Sequence, residues 1–560
     1  MKISVLDIIV VLVYLILIGG LGIYQARKIK GSGDYFAGGR KFNKFLMMMH
    51  SLGTGTHADD PVGVTGAAFE KGYSGIWYTF AYLFVTPFYW ILAPLFRRSR
   101  FLTTSDFFEA RFGSSLGILY TIMGVVTFTI NIGTMLKGTG VLTSSITQGA
   151  VSPDLAVGVM AVIFVLYGTA GGLVATVITE SIQGVLIVVM SLLLVPFGLM
   201  KIGGFSAIHN LLDPSKFNLS APVELSIWWI IGATIMNLIG IVAQPHSMEV
   251  CATGKTEWEG RIGFTYGSFI KRFCALGWAA SGVIVLALVA NGSINPLAHR
   301  EDAFGVAIRY LLPSGFIGLM FAAILAAQMS SLSAFMVAAS ALLSRNFYRR
   351  WLRPSATDND VLIFARYSGL AVVAFGIAFA FVVPGVAEAL TYFWAVTTFT
   401  GLFMWFGVLW KKTNTTGAWA SFVVMVIIWT IIGPIGTILH KIPFFASYDL
   451  LGIYGDKAML HYMLPSYLIP GIIALVIGSL LGKPMDKKKL RDFYLLLKTP
   501  VGREKELEEA GVEVVYAGNT VGHPWEMKHG TMVNVVGFII ATLLSLSFLG
   551  LLYLLARAGA

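Results

Sequence analysis

Apolar runs of bilayer length alternate with short polar stretches along almost the whole chain. The first, "VLDIIVVLVYLILIGGLGIYQ" over 5–25, suits a helix crossing hydrocarbon, which takes about 20 residues. It lacks a small-residue cleavage site and runs into Arg27, Lys28 and Lys30, so it reads as a retained span rather than a cleaved signal. The same pattern predicts helices over 45–70, 74–96, 114–147, 153–170, 174–200 and 225–247. It continues over 263–291, 306–343, 360–384, 386–410, 416–439, 463–482 and 532–556, giving about fourteen transmembrane helices in all. The expected class is an all-α polytopic membrane protein. The sizeable polar interruption is 483–531, where "REKELEEAG" suggests one short helix inside a solvated connector.

Basic residues then orient the spans. With the N-terminus outside, one side collects Arg40, Lys41 and Lys44, then Arg97, Arg98, Arg100 and Arg111, then Lys255 and Arg261. Arg345, Arg349, Arg350 and Arg353, Lys411 and Lys412, and "KPMDKKKLR" in the connector follow on that side, which is the positive-inside pattern. An even number of spans returns the C-terminus to the outside. The natural location is a bacterial inner membrane.

Composition agrees. Only 12% of the 560 residues are charged and 56% are hydrophobic, against about 25% charged in soluble domains. The net charge of +11 lies in the loops of one side, so it argues for membrane orientation rather than nucleic-acid binding. Two cysteines, Cys251 and Cys274, imply no disulfide framework.

Charge inside the spans is the first chemical signal. "GTGTHADDPVG", Gly53 to Gly63, puts Asp59 and Asp60 midway along a predicted span, where an isolated charge costs about 2.5–3.5 kcal/mol. Gly53, Gly55, Pro61, Gly63 and Gly66 are poor helix formers, so this helix should be broken near its middle. A break frees carbonyls and amides that only a lined cavity tolerates, and transporters hold coupling ions at such breaks. A plain proline kink with hydrogen-bonded aspartates is the alternative. Lys137 lies at similar depth in the fourth span, and an ion pair with Asp59 or Asp60 would lower the cost of both; otherwise it lines an outer vestibule.

The second signal is hydroxyl-rich. "GLMFAAILAAQMSSLSAFMVAAS" from Gly318 is rich in small residues, which let helices approach closely. Its Ser330 and Ser331 offer oxygen ligands to a hard cation, or simply bond back to their own helix.

At these residues the chain resembles the solute:sodium symporters. "AAILAAQMSSLSAFMVAASALLSRNFY" is similar to that family's eighth core helix. "DYFAGGRKF", "LTTSDFFEARFGSSLG", "YGTAGGLVATVITESIQG" and "WKKTNTTGAWAS" follow the family's order, from about Asp34 to Gly417. The resemblance implies a leucine-transporter-like fold of two inverted five-helix repeats, with one extra N-terminal and three extra C-terminal helices. The expected divisions are then 1–44 (first helix and link), 45–410 (core), 411–482 (two further helices), 483–531 (connector) and 532–560 (last helix). It implies Na⁺-driven symport of a small polar solute by alternating access, without enzymatic activity, organic cofactor, nucleic acid or obligatory protein partner. The sodium ligands it implies are the carbonyls of Gly53, Thr56 and Ala327 with the hydroxyls of Ser330 and Ser331. Glu180, in "ITESIQ", falls on the ion path near its inner end, where an interfacial salt bridge is the plainer role.

Departures from the family bear on the solute. Proline-transporting members carry an aspartate at Gly55 and a serine at His57. Sugar-transporting members carry Glu-Gln at Asp59-Asp60, a glutamate at Thr79 and Asn-Gln at Ala243-Gln244, and Glu249 replaces a common arginine. His57, Asp59, Asp60, Lys137 and Gln244 are therefore the solute-binding candidates, with His246, Phe393 and Trp394 as further lining residues. The acidic pair suits an amino group of the solute, the hydroxyls of a polyol, or, with His57, a proton or second cation. Proton-coupled symport through His57, Asp59 and Asp60 is the alternative function; a transporter-derived sensor is a more distant one.

Overall fold

The computed structural model describes residues 3–26, 40–168, 173–222, 224–435, 453–454, 457–458, 460–516 and 518–560. Arg27, Lys28, Lys30 and most of "DYFAGGRKF" lie outside the described residues, as does part of "YGTAGGLV". Among the described residues the regular structure is helical, apart from a two-residue antiparallel pairing of Ile453–Tyr454 with Lys457–Ala458 and a single bridge between Phe42 and Gly254.

The principal helices are α1 (Val5–Ala26), α2 (Lys44–Thr54), α3 (Asp59–Lys71), α4 (Thr86–Ser99), α5 (Ser114–Thr147), α6 (Pro153–Gly168), α7 (Leu173–Ile202) and α8 (Ile227–Gly240). They continue with α9 (Pro245–Ala252), α10 (Glu257–Ala290), α11 (Phe316–Ala341), α12 (Asp358–Val382), α13 (Val386–Leu409), α14 (Thr415–Thr430), α15 (Leu460–Leu481) and α16 (Pro524–Arg557). Among the described residues, nine helices are long and apolar enough to cross a membrane, or ten if one bent pair counts as a span. Among the described residues helix underlies each of the fourteen expected segments; 45–70 breaks at Gly55–Ala58, as expected, and three others are interrupted.

Each interruption has a local cause. The expected 74–96 span is a 3₁₀ turn over Gly72–Ile76 and a single turn Trp77–Phe80 before α4. The segment from Ile227 bends by 59° at Gln244–Pro245, where Pro245 supplies no backbone donor. The expected 306–343 span begins late: Ala303–Leu311 is a separate helix, and Pro313 with Gly315 at φ +88° stops the chain before α11. Asp7 of α1 then caps α11 from outside, its Oδ1 accepting from the amides of Gly315 at 2.7 Å and Gly318 at 2.9 Å.

Helix α10 is the central post, packed on α2, α3, α4 and α7. Its glycines explain how. A Cβ at Gly263 would lie 2.5 Å from the Met47 Cβ, and one at Gly267 would lie 2.6 Å from the Met48 carbonyl. Gly277 and Gly282 meet the carbonyls of Ser191 and Thr65 equally closely. Residues 263, 267 and 271 share one face at helical spacing, so the stripe that admits α2 also aims Lys271 at the α2–α3 break.

The basic clusters do gather on one side. Arg40 donates to the Phe101 carbonyl at 2.9 Å, Arg97 to Gly254 and Asn519, and Arg111 to Gly407. The connector is not the solvated segment expected. Phe493, Leu496, Leu497, Val501 and Leu507 are buried, and Arg100 donates to the Thr499 carbonyl at 3.1 Å and to Glu504 at 3.0 Å. The amphipathic stretch "LRDFYLLL" carries the apolar face that drives this docking.

Candidate functional site

Two breaks face each other. The first separates α2 from α3 at Gly55–Ala58; the second is the bend at Gln244. Between them lies a cavity with an empty volume of about 880 Å³, partly open to solvent, lined from the first break by Gly55, His57, Asp59 and Asp60 and from the second by Ile241, Gln244 and His246. Tyr82, Lys271, Arg272, Phe393 and Trp394 also line it.

Behind the first break the hydroxyl helix makes contact. The Ser331 hydroxyl lies 2.9 Å from the Gly53 carbonyl and 3.1 Å from the Ala327 carbonyl, joining α11 to α2. Ser330 Oγ and Thr56 Oγ1 are buried without a hydrogen-bond partner. The Thr56 amide donates to the same Gly53 carbonyl at 3.2 Å, and Thr56 and Ala327 line one small cavity. Hydrogen bonds thus join Ser331 to the Gly53 and Ala327 carbonyls and Thr56 to Gly53, while the Ser330 hydroxyl, one residue along α11, is bonded to none of them. Glu180 packs against Gly53 and is not interfacial: it is fully buried, 2.6 Å from His50 Nδ1 and 3.3 Å from the Thr54 hydroxyl.

The aspartates have partners that differ from the expected one. Asp60 Oδ1 pairs with Lys271 Nζ at 2.8 Å, and its Oδ2 accepts from the His57 amide at 3.3 Å. Lys271 also donates to the Gly55 carbonyl freed by the break. Asp59 Oδ1 lies 3.3 Å from His57 Nδ1, and His57 Nε2 lies 2.9 Å from the Thr54 carbonyl. Lys137 forms no ion pair with either aspartate and lies outside the cavity lining. The reason is helical phase. Helix α5 presents Gly138 to Asp59, and Lys137 is turned about 100° away.

Gln244 Nε2 reaches the Tyr82 hydroxyl at 3.3 Å, and Trp394 packs edge-on to the Tyr82 ring at 6.4 Å. Gln328 fastens the start of α3: its Oε1 accepts from the Ala58 amide at 3.2 Å while its Nε2 donates to the Met135 carbonyl of α5. His50, Lys271, Arg272 and Gln328 are the site residues the sequence reading missed. The middle of "SFIKRFCALGW" holds two of them, and the charge-within-a-span test flags both.

Because Gly138 abuts Asp59 backbone, Gly138→Ala is expected to cost about 1–3 kcal/mol by overpacking. A Cβ there would lie 2.8 Å from both Cα and N of Asp59, atoms that cannot swing aside. Thermal unfolding against Gly158→Ala, where a Cβ meets nothing within 4 Å, checks it; equal stability of the two variants would refute the close approach.

Comparison with known proteins places this geometry. Residues 35–425 match the model of the sodium:solute symporter family. The sodium/pantothenate symporter of Haemophilus influenzae is 26% identical over 512 residues, covering 86% of this chain and 97% of that protein. The sodium/proline symporter of Staphylococcus aureus is 25% identical, covering 86% of this chain and 95% of its own length. Among solved structures, a substrate-bound, outward-open Na⁺-coupled sialic acid symporter superposes with a TM-score of 0.72 at 18% identity, covering 86% of this chain and 99% of that one. The family match spans most of the residues, the full-length relatives are symporters, and the fold is shared: this chain belongs to the sodium:solute symporter family, whose members are membrane transporters and not enzymes.

Proposed function

We propose that the protein couples inward flow of Na⁺ to uptake of a small polar organic solute held in the cavity between the two helix breaks. The observation that carries this reading is the Ser331 hydroxyl bridging the Gly53 and Ala327 carbonyls beside the unpartnered Ser330 hydroxyl. Na⁺ entering there replaces the bridging hydrogen bond with ligation by Gly53, Thr56, Ala327, Ser330 and Ser331. Its charge then holds α2 against α11. An ion shifts a conformational equilibrium only by its differential affinity for the two states, and this one favours the state in which α2 and α11 touch. Solute completes the closed form, and both leave on the basic side of the protein. Glu180, behind Gly53, sits on the route by which the ion departs.

The reading carries with it the arrangement expected from the family: two inverted five-helix repeats within about fourteen spans, both termini outside, in a bacterial inner membrane. Relatives named for pantothenate, proline and sialic acid differ too much among themselves to transfer a solute.

Purified protein is expected to be stabilised by Na⁺ relative to K⁺. At 100 times the dissociation constant the gain is about 2.7 kcal/mol, a melting shift of about 1–3 °C for a protein of this size. The variant carrying both Ser330→Ala and Ser331→Ala should lose it. A Na⁺ effect that survives both substitutions would place the ion elsewhere.

Proton coupling has one observation in its favour. His57 Nε2 has a carbonyl acceptor, so its Nδ1, facing Asp59 Oδ1, shares with that oxygen the one place for an exchangeable proton. A stabilisation that follows pH rather than Na⁺, and that Asp59→Asn removes, would select this reading.

A further inference from the structure

We propose that Arg272 is the anion receptor of the central cavity and that the transported solute is an organic carboxylate. The proposal rests on the symport reading above and names its substrate class. It begins from a charge balance. Asp60 uses both oxygens, one on Lys271 and one on the His57 amide, and Asp59 has His57 beside it. Lys271 in turn is held by Asp60 and the Gly55 carbonyl. Arg272, the next residue, is the cation left over: it lines the cavity, it is 3% exposed, and its Nε and Nη1 are buried with no hydrogen-bond partner.

A buried guanidinium without acceptors is costly. The Tyr82 ring, 5.4 Å from Arg272 Cζ, covers one face of the planar group and leaves its edge donors unused. Nε and Nη1 lie on different edges of the guanidinium, and each forms with Nη2 a rigid fork that matches a carboxylate in bidentate fashion. The surroundings supply further donors. Trp394 Nε1, on the wall of the same cavity, is buried without a hydrogen-bond partner, its ring edge-on to Tyr82. The idle donors thus call for an acceptor-rich group. Asp60, in contrast, is already taken by Lys271 and the His57 amide, so an amino group of the solute would have Asp59 alone, beside His57, to meet it.

The test is a thermal-unfolding screen of the full-length purified protein in saturating Na⁺. The probes are propionate, pyruvate, lactate and benzoate, the neutral amides of the same acids, and propylamine. At least one acid is expected to raise the melting temperature beyond the Na⁺ effect, while its amide and the amine do not. Arg272→Gln should abolish the response to the acid and keep the response to Na⁺. Arg272→Lys, which keeps the charge but not the fork, should require about tenfold more acid; it carries the test if the glutamine variant does not fold. An amide or amine as effective as the acid, an undiminished acid response in Arg272→Gln, or no acid response in protein that Na⁺ still stabilises would each overturn the proposal. Loss of the Na⁺ response in the unmodified protein would instead overturn the symport reading on which it rests.

Discussion

Arg261→Met is expected to destabilise the protein by about 3–5 kcal/mol, the usual cost of stranding one partner of a buried ion pair. Arg261 and Glu526 are both fully buried, joined by Nε–Oε1 at 2.5 Å and Nη2–Oε2 at 3.0 Å. The guanidinium also serves the Trp90 carbonyl at 2.5 Å and Asn534 at 2.7 Å, so one side chain ties α10, α4 and α16 together. Removing it leaves Glu526 with Arg98 at 3.4 Å, a longer contact that places the loss toward the lower end of the range. The variant with both Arg261→Met and Glu526→Met removes both charges and should recover most of the stability. Arg349→Met, which breaks an exposed pair with Asp358, should change stability by less than about 0.5 kcal/mol. Thermal unfolding of the four proteins decides the matter. A large loss in Arg349→Met, or none in Arg261→Met, would contradict burial as the governing variable.

Much of this was legible in the sequence, for reasons that can be named. Apolar length and basic loops gave the helices and their common basic side, because hydrocarbon thickness and charge transfer across it constrain every span alike. The break at Gly55–Ala58 was legible because glycine, proline and paired carboxylates within one apolar run have few other uses. The partners of those carboxylates were not. Lys137 and Lys271 lie at comparable depths, and choosing between them needs the phase of α5 against α3, which close packing at Gly138 sets and periodicity does not. Asp7 illustrates the same limit: nothing in α1 announces that its carboxylate caps a helix more than three hundred residues away. The docked connector was misread because half-buried amphipathic helices look solvated when their partner surface, here Arg100 and its neighbours, comes from a distant loop.

The pair at the break carries the second large effect. Lys271→Met and Asp60→Asn are each expected to cost about 2–4 kcal/mol. The range sits below that for Arg261 because the two side chains are 17% and 12% exposed and water still reaches them. Lys271→Met also removes a donor from the Gly55 carbonyl, so it should be the worse of the two. The double variant should lose clearly less than the sum, because each single change strands the partner's charge and the second change removes it. Stabilisation by Na⁺ should persist in all three, since the oxygens of Ser330, Ser331 and Ala327 belong to α11 and touch neither residue. If that response vanishes with Lys271, the ammonium is positioning the Gly53–Thr56 carbonyls as well as balancing Asp60, and the two halves of the site are one unit. If the losses simply add, other groups hold the break in place, and Lys271 and Asp60 face the cavity as independent charges.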